Sequence, residues 1–139
     1  MDEWERICLP VTPDGLVQAR VAVGSSLRTR SCAGPMVDTA ELLVHETVAA
    51  VLHVDDVDAP ERIWVRWGRA GCHVRFEVLD PGRLGAEPSC VDRRVVFGGR
   101  AERVSELADD WGSEPVEHGQ LLWCALHIDG CDGEDASAA

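Results

Sequence analysis

Residues 38–53 read DTAELLVHETVAAVLH, and this stretch limits the possible folds more than any other. Apolar residues cover most of its helical surface, so a helix here must be buried between other elements rather than lie on a wet surface. Glu46 sits in the middle of it and His53 lies two turns further on. Burying an unpartnered carboxylate costs several kcal/mol in order of magnitude. Glu46 therefore calls for an arginine partner, a wet helix edge or a chemical role. Asp38, with Glu41 three residues on, has the form of a capping box at the helix start.

The rest of the chain supplies what such a helix would pack against. Glu5–Val11 reads as a short first strand ending among prolines, and Asp14 can cap a helix running to about Thr29. Cys32–Pro35 reads as a turn, and 55–60 as an acidic loop. Arg62–Trp67 and Cys72–Leu79 alternate as two strands joined by a GRAG hairpin loop. The span 80–98 is too long for an ordinary turn and reads as a lid, with a brief ordered piece at Val95–Phe97. Arg100–Ala108 suits a helix, and Asp110–Pro115 and Leu121–Ile128 suit a final pair of strands. Grouped helices and strands that arrive as hairpins indicate an α+β fold, with one sheet covered on one face. One domain over 1–128 is expected, followed by an acidic, disordered tail at 129–139.

Composition narrows the function. The 139 residues carry a net charge of −12, which argues against nucleic acid or anionic lipid as partner. All thirteen basic residues are arginine, and lysine, tyrosine and asparagine are absent. A P-loop lysine, a lysine Schiff base and an asparagine metal ligand are thereby excluded. No two of the six cysteines lie within four positions, so zinc-ribbon spacing is missing. With no signal peptide at MDEWERICLP and no apolar run of about 18 residues, the expectation is a cytoplasmic protein with free, packed thiols. His45-Glu46 begins an HExxH pattern, but the closing position is Ala49, so a zinc-protease site is ruled out and no metal site is assigned. Trp64 and Trp67 fall on opposite faces of one strand.

Taken in order, several segments resemble one family. DTAELLVHETVAAVLH is similar to the N-box helix of GHKL (Bergerat-fold) ATPases, especially the anti-sigma-factor serine kinases abundant in actinobacteria. VRFEVLDPG resembles their adenine-holding strand and turn, VFGGR their glycine-rich lid, ELADDWG the turn after it, and GQLLWCALHI their closing strand. The resemblance covers roughly Glu5 to Ile128. It implies a Bergerat-type two-layer α/β sandwich with a mixed, mainly antiparallel sheet. It also implies a site for ATP or ADP with magnesium, a sigma factor or STAS-type antagonist as protein partner, and a possible homodimer.

Carried over residue by residue, the resemblance makes Glu46 the catalytic base and Asp80 the acceptor for the adenine amino group. Gly82 becomes the glycine that admits the ring, Gly98, Gly99 and Arg100 the lid segment, and Leu121 the replacement for a threonine beside adenine. Trp111 and Trp123 are expected in the core only by this resemblance, which matches them to core aromatics. The magnesium-holding asparagine falls at Ala50, which cannot coordinate, and His53 is a poor substitute because imidazole suits magnesium badly. The expected function is therefore a regulatory, ATP-binding-type protein of impaired catalysis that acts by binding a protein. An active serine-protein kinase, and a small-molecule sensor reusing the adenine pocket, stay open as alternatives.

Overall fold

The computed structural model describes residues 4–51, 62–80, 92–117 and 119–131. His53, Gly82 and most of the expected lid lie outside the described residues, as do the acidic loop and the last eight residues. Five strands, β1 (Glu5–Pro10), β2 (Arg62–Ala70), β3 (His73–Asp80), β4 (Asp110–Val116) and β5 (Gly119–His127), form one sheet in the order β1-β2-β3-β5-β4. Every pairing is antiparallel, so among the described residues the sheet is not mixed as expected. Each strand but β1 pairs a neighbour in sequence by a hairpin, and hairpins can only pair antiparallel. The helices α1 (Pro13–Thr29), α2 (Gly34–Val51), α3 (Arg93–Phe97) and α4 (Ala101–Leu107) gather on one side of the sheet.

Alternation along the strands divides the sheet into two unlike faces. The helix-facing side presents Ile63, Val65 and Trp67 of β2, Val74, Phe76 and Val78 of β3, and Leu122, Cys124 and Leu126 of β5, all buried. Helix α2 closes this core with Val37, Ala40, Leu43, Val44, Val48 and Val51, none more than 1% exposed. At about 1.5–3 kcal/mol for each fully buried aliphatic side chain, that stripe fixes the helix on the sheet. Thr47 is also buried; its hydroxyl donates back to the Leu43 carbonyl at 2.8 Å and lies 3.6 Å from the Cys124 sulfur. Gly24 of α1 lets Glu41 of α2 approach closely enough to meet Arg28 at 2.8 Å. Trp67 reaches from the sheet to α1, donating from Nε1 to Ser26 Oγ at 3.0 Å.

Several local expectations change. Helix α2 begins at Gly34 rather than at Asp38, so there is no turn at Cys32–Pro35 leading to a capping box; Glu41 is a mid-helix ion-pair partner instead. The β2–β3 turn is Gly71–Cys72, and β2 absorbs most of the GRAG segment. Gly71 takes φ 64, a left-handed conformation that glycine adopts freely. Val95–Phe97 belongs to α3, capped by the Asp92 side chain, which accepts from Arg94 N at 2.9 Å. Trp111 is core as expected, packed edge-on against Phe97 at 5.2 Å. Trp123 is not core. It projects from the uncovered face, where Gly112 leaves room for its ring.

The thiols also depart from expectation. Cys72 and Cys131 form a disulfide across 59 positions of sequence, while Cys8, Cys32 and Cys124 are free. The pair is brought together because Ile128 N donates to the Cys72 carbonyl at 2.8 Å, and Cys131 N turns back onto Ile128 O at 3.0 Å. The sequence spacing of these two cysteines carries no signal of this, since it depends on where β5 ends beside the β2–β3 turn. Residues 129–131, assigned to a loose tail from sequence, are thus covalently attached to the body of the fold.

Candidate functional site

Helix α2 carries Glu46 and Ala50 one turn apart, at the margin of its buried stripe. Following α3, Gly98 turns at φ 59 into a 3-10 turn, Gly98–Arg100, which runs directly into α4. This turn packs on α2 and brings Arg100 to Glu46: Nη1 donates to Oε2 at 3.0 Å. The carboxylate is only 15% exposed and the guanidinium 48%. The awkward charge in an apolar helix is thereby accounted for, since Glu46 has an arginine partner supplied by the segment assigned to the lid. At this contact the two residue sets predicted from sequence, one on the helix and one on the lid, are brought together.

What surrounds the pair is equally specific. Ala50, packed partly against the core, supplies no oxygen. No group of three or more His, Cys, Asp or Glu side chains suited to a metal gathers among the described residues. His45 Nδ1 is buried without a hydrogen-bond partner among them. Burial holds the His45 pKa below its ordinary 6.5; the nearby charges of Arg20 and Arg100 push the same way, while Glu46 opposes them. Around Gly98 and Gly99 nothing lies within 4 Å of where a side chain would start, so the turn borders open space.

At the end of the sheet a second polar group forms. Asp80 of β3 is in direct register with Gln120 of β5, and both belong to the helix-facing side by alternation with Val78 and Leu122. Gln120 Nε2 is buried and has no acceptor among the described residues; nor has Ser113 Oγ, on the same face of the adjoining strand β4 a partner. Buried polar groups are nearly always hydrogen-bonded, so these two atoms on the helix-facing side stand out. Leu121, predicted beside adenine, pairs instead with Leu79 on the opposite, uncovered face. A one-residue displacement in a strand reverses the face. Gln120, not Leu121, therefore shares a face with Asp80, and alternation with the buried Leu122 is the sequence signal of that parity.

The donors present therefore suit the two halves of a magnesium nucleotide unequally. Asp80 and Gln120, in register on one face, offer hydrogen-bonding groups of the kind that a polar ligand edge could meet. At the other half Ala50 offers no ligand and the Glu46 carboxylate is engaged by Arg100, so among the described residues the donors do not fit a magnesium-bound phosphate chain.

No protein-family model matches the sequence, and no curated protein does. The fold is similar to that in the crystal structure of the RsbU and RsbW domains of Rv1364c from Mycobacterium tuberculosis, with a TM-score of 0.65 and 18% sequence identity. The match covers 91% of this chain and 32% of that one, so this chain spans about a third of that structure's length. At this identity the likeness establishes the fold, and it agrees with the two-layer α+β sandwich of Bergerat type expected from sequence. No helix among the described residues is long and apolar enough to cross a membrane.

Proposed function

We propose that this chain is a regulatory protein on a GHKL-type scaffold that no longer transfers phosphate and acts by binding a protein. The observation that carries the reading is the Arg100–Glu46 ion pair beside Ala50. A general base must be free to accept a proton from the attacking hydroxyl. Here the candidate base accepts a charge-assisted hydrogen bond from a guanidinium, which cannot be deprotonated near neutral pH. Phosphoryl transfer further relies on metal ions to neutralise developing charge, and Ala50 withholds the ligand. By resemblance the partner is a sigma factor or a STAS-type antagonist, and ATP or ADP binds at most through the base.

The decisive experiment is calorimetric titration with ATP and with ADP, each with and without magnesium, alongside incubation with a STAS-type partner and labelled ATP. The reading expects binding indifferent to magnesium and no label on the partner. Efficient magnesium-dependent labelling would sink it and favour an active kinase. A second reading is supported by the orphaned Gln120 Nε2 and Ser113 Oγ: the end of the sheet near Asp80 takes a small heterocyclic ligand other than ATP. Thermal-shift screening of nucleobases and nucleosides tests that reading, with a rise in melting temperature that is lost in Gln120→Leu.

A further inference from the structure

The sheet face turned away from the helices carries an arrangement that the site described above does not use. Trp4 lies over Gly68, where any side chain would strike its ring, and Arg66 stacks 5.0 Å from it. Trp123 lies over Gly112 in the same manner, with Arg75 at 4.4 Å. Between these two stacks stands Glu77, only 4% exposed, accepting hydrogen bonds from both Arg66 and Arg75. Flat indoles covering strand glycines protect a sheet that has no second layer, and this half of the face is internally satisfied.

The neighbouring half is not. Trp64 projects from β2 with 48% of its surface exposed, between Arg62 and Arg66, two positions away on either side. Arg6 of β1 approaches its ring at 6.0 Å, and Arg6 stands in direct register with Arg66. Like charges directly opposite on one face destabilise a sheet. Glu77 relieves Arg66, yet among the described residues neither Arg6 nor Arg62 has a carboxylate partner; the Arg62 Nε contact is to the Cys8 sulfur at 3.1 Å. In a chain of net charge −12, this is a local concentration of positive charge around an exposed indole.

We infer that the Arg6–Arg62–Trp64 patch is a docking surface for an acidic segment of a partner protein, on the opposite side of the sheet from the Glu46–Arg100 site. Charge complementarity carries the choice of occupant. Spaced carboxylates can meet Arg6 and Arg62 while an apolar side chain covers Trp64, a pairing of tryptophan and arginine that dominates many protein interfaces. A polyphosphate backbone fits less well, because Glu77 and Glu114 share the face and the whole molecule repels a dense anion.

The test is titration of the full chain with a short peptide of alternating glutamate and leucine, followed by calorimetry at low and high salt. A lysine–leucine peptide and a single-stranded oligodeoxynucleotide of equal length serve as comparisons. Binding of the acidic peptide is expected, at least tenfold weaker in the double variant Arg6→Gln/Arg62→Gln and weakened by salt. Trp64→Phe, which keeps an aromatic, should bind better than Trp64→Ala; unchanged melting temperatures confirm that the variants fold. Absence of acidic-peptide binding, equal binding to the double variant, or tighter binding of the oligonucleotide overturns the inference. So does a concentration-dependent dimer in sedimentation that the double variant abolishes, since a second copy would then be the occupant.

Discussion

Arg100 donates to Glu46 at 3.0 Å from the far side of a gap of 54 residues in sequence, joining the turn before α4 to the middle of α2. The contact decides both how α2 tolerates a carboxylate and whether that carboxylate is available for chemistry. Glu46 is mostly covered and Arg100 half-exposed, so losing the two residues has unequal consequences. Arg100→Ala leaves a covered charge without its partner and should cost about 1–2 kcal/mol in urea unfolding, after allowance for screening at the exposed guanidinium. Glu46→Gln removes the charge itself and should cost less. The reverse ranking would mean that the pair is not what holds the carboxylate.

Restoring the missing ligand should restore metal dependence. The double variant Ala50→Asn/Arg100→Ala frees Glu46 and supplies an amide oxygen one helical turn away. ATP affinity in this variant is expected to improve about tenfold on adding magnesium, while the parent chain stays indifferent to it. Calorimetry reads this directly, and indifference in both proteins would count against the derivation of this site from a magnesium-nucleotide site.

His45 predicts a pH dependence. Its folded pKa is held below 6.5 by burial, so the unfolded chain takes up the proton first as pH falls. The stability associated with neutral His45 is therefore present above pH 6.5 and is lost as pH falls through the lower, folded value. Denaturant midpoints measured from neutral to mildly acidic pH should drop, and His45→Gln should remove that part of the slope.

Cys124 behaves oppositely. Burial pushes its thiol from 9.0 up to about 12, against a weaker opposing pull from the Thr47 hydrogen bond. Below pH 9 the thiol is protonated in both folded and unfolded chains, and its contribution is constant. As pH rises from 9 through about 12 the unfolded chain ionises first, and that stability is lost. At neutral pH a maleimide should label half-buried Cys8 and Cys32 while sparing Cys124 until denaturant is added, because the thiolate is the nucleophile.

Much of the architecture was legible in the sequence, because two periodicities settle it. The alternation of Ile63, Val65 and Trp67, and of Val74, Phe76 and Val78, names the buried face of the sheet without any tertiary information. The greasy stretch around Glu46 likewise specifies a helix that must lie on that face. The parts that were not legible depend on register and on meetings between distant elements. Gln120 rather than Leu121 faces Asp80 because of pairing phase. Arg100 reaches Glu46 only because a positive-φ glycine turns the chain there. Trp123 was expected in the core from the family resemblance, whereas its strand parity places it over Gly112 on the uncovered face.

The Cys72–Cys131 bond turns everything between those residues into a covalent ring. Asp80, Gly98, Arg100, Ser113 and Gln120 all lie inside that ring, while Glu46 and Ala50 lie outside it. A protease cut anywhere from β3 to β5 therefore leaves the two fragments joined, migrating as one species until a reductant is added. A mechanical load applied between the chain ends would likewise pass across the sulfur bridge and leave the ring slack. The half of the candidate site that contributes Arg100 is thus protected as a unit, and it meets the half that contributes Glu46 through non-covalent contacts that can part while the ring stays closed.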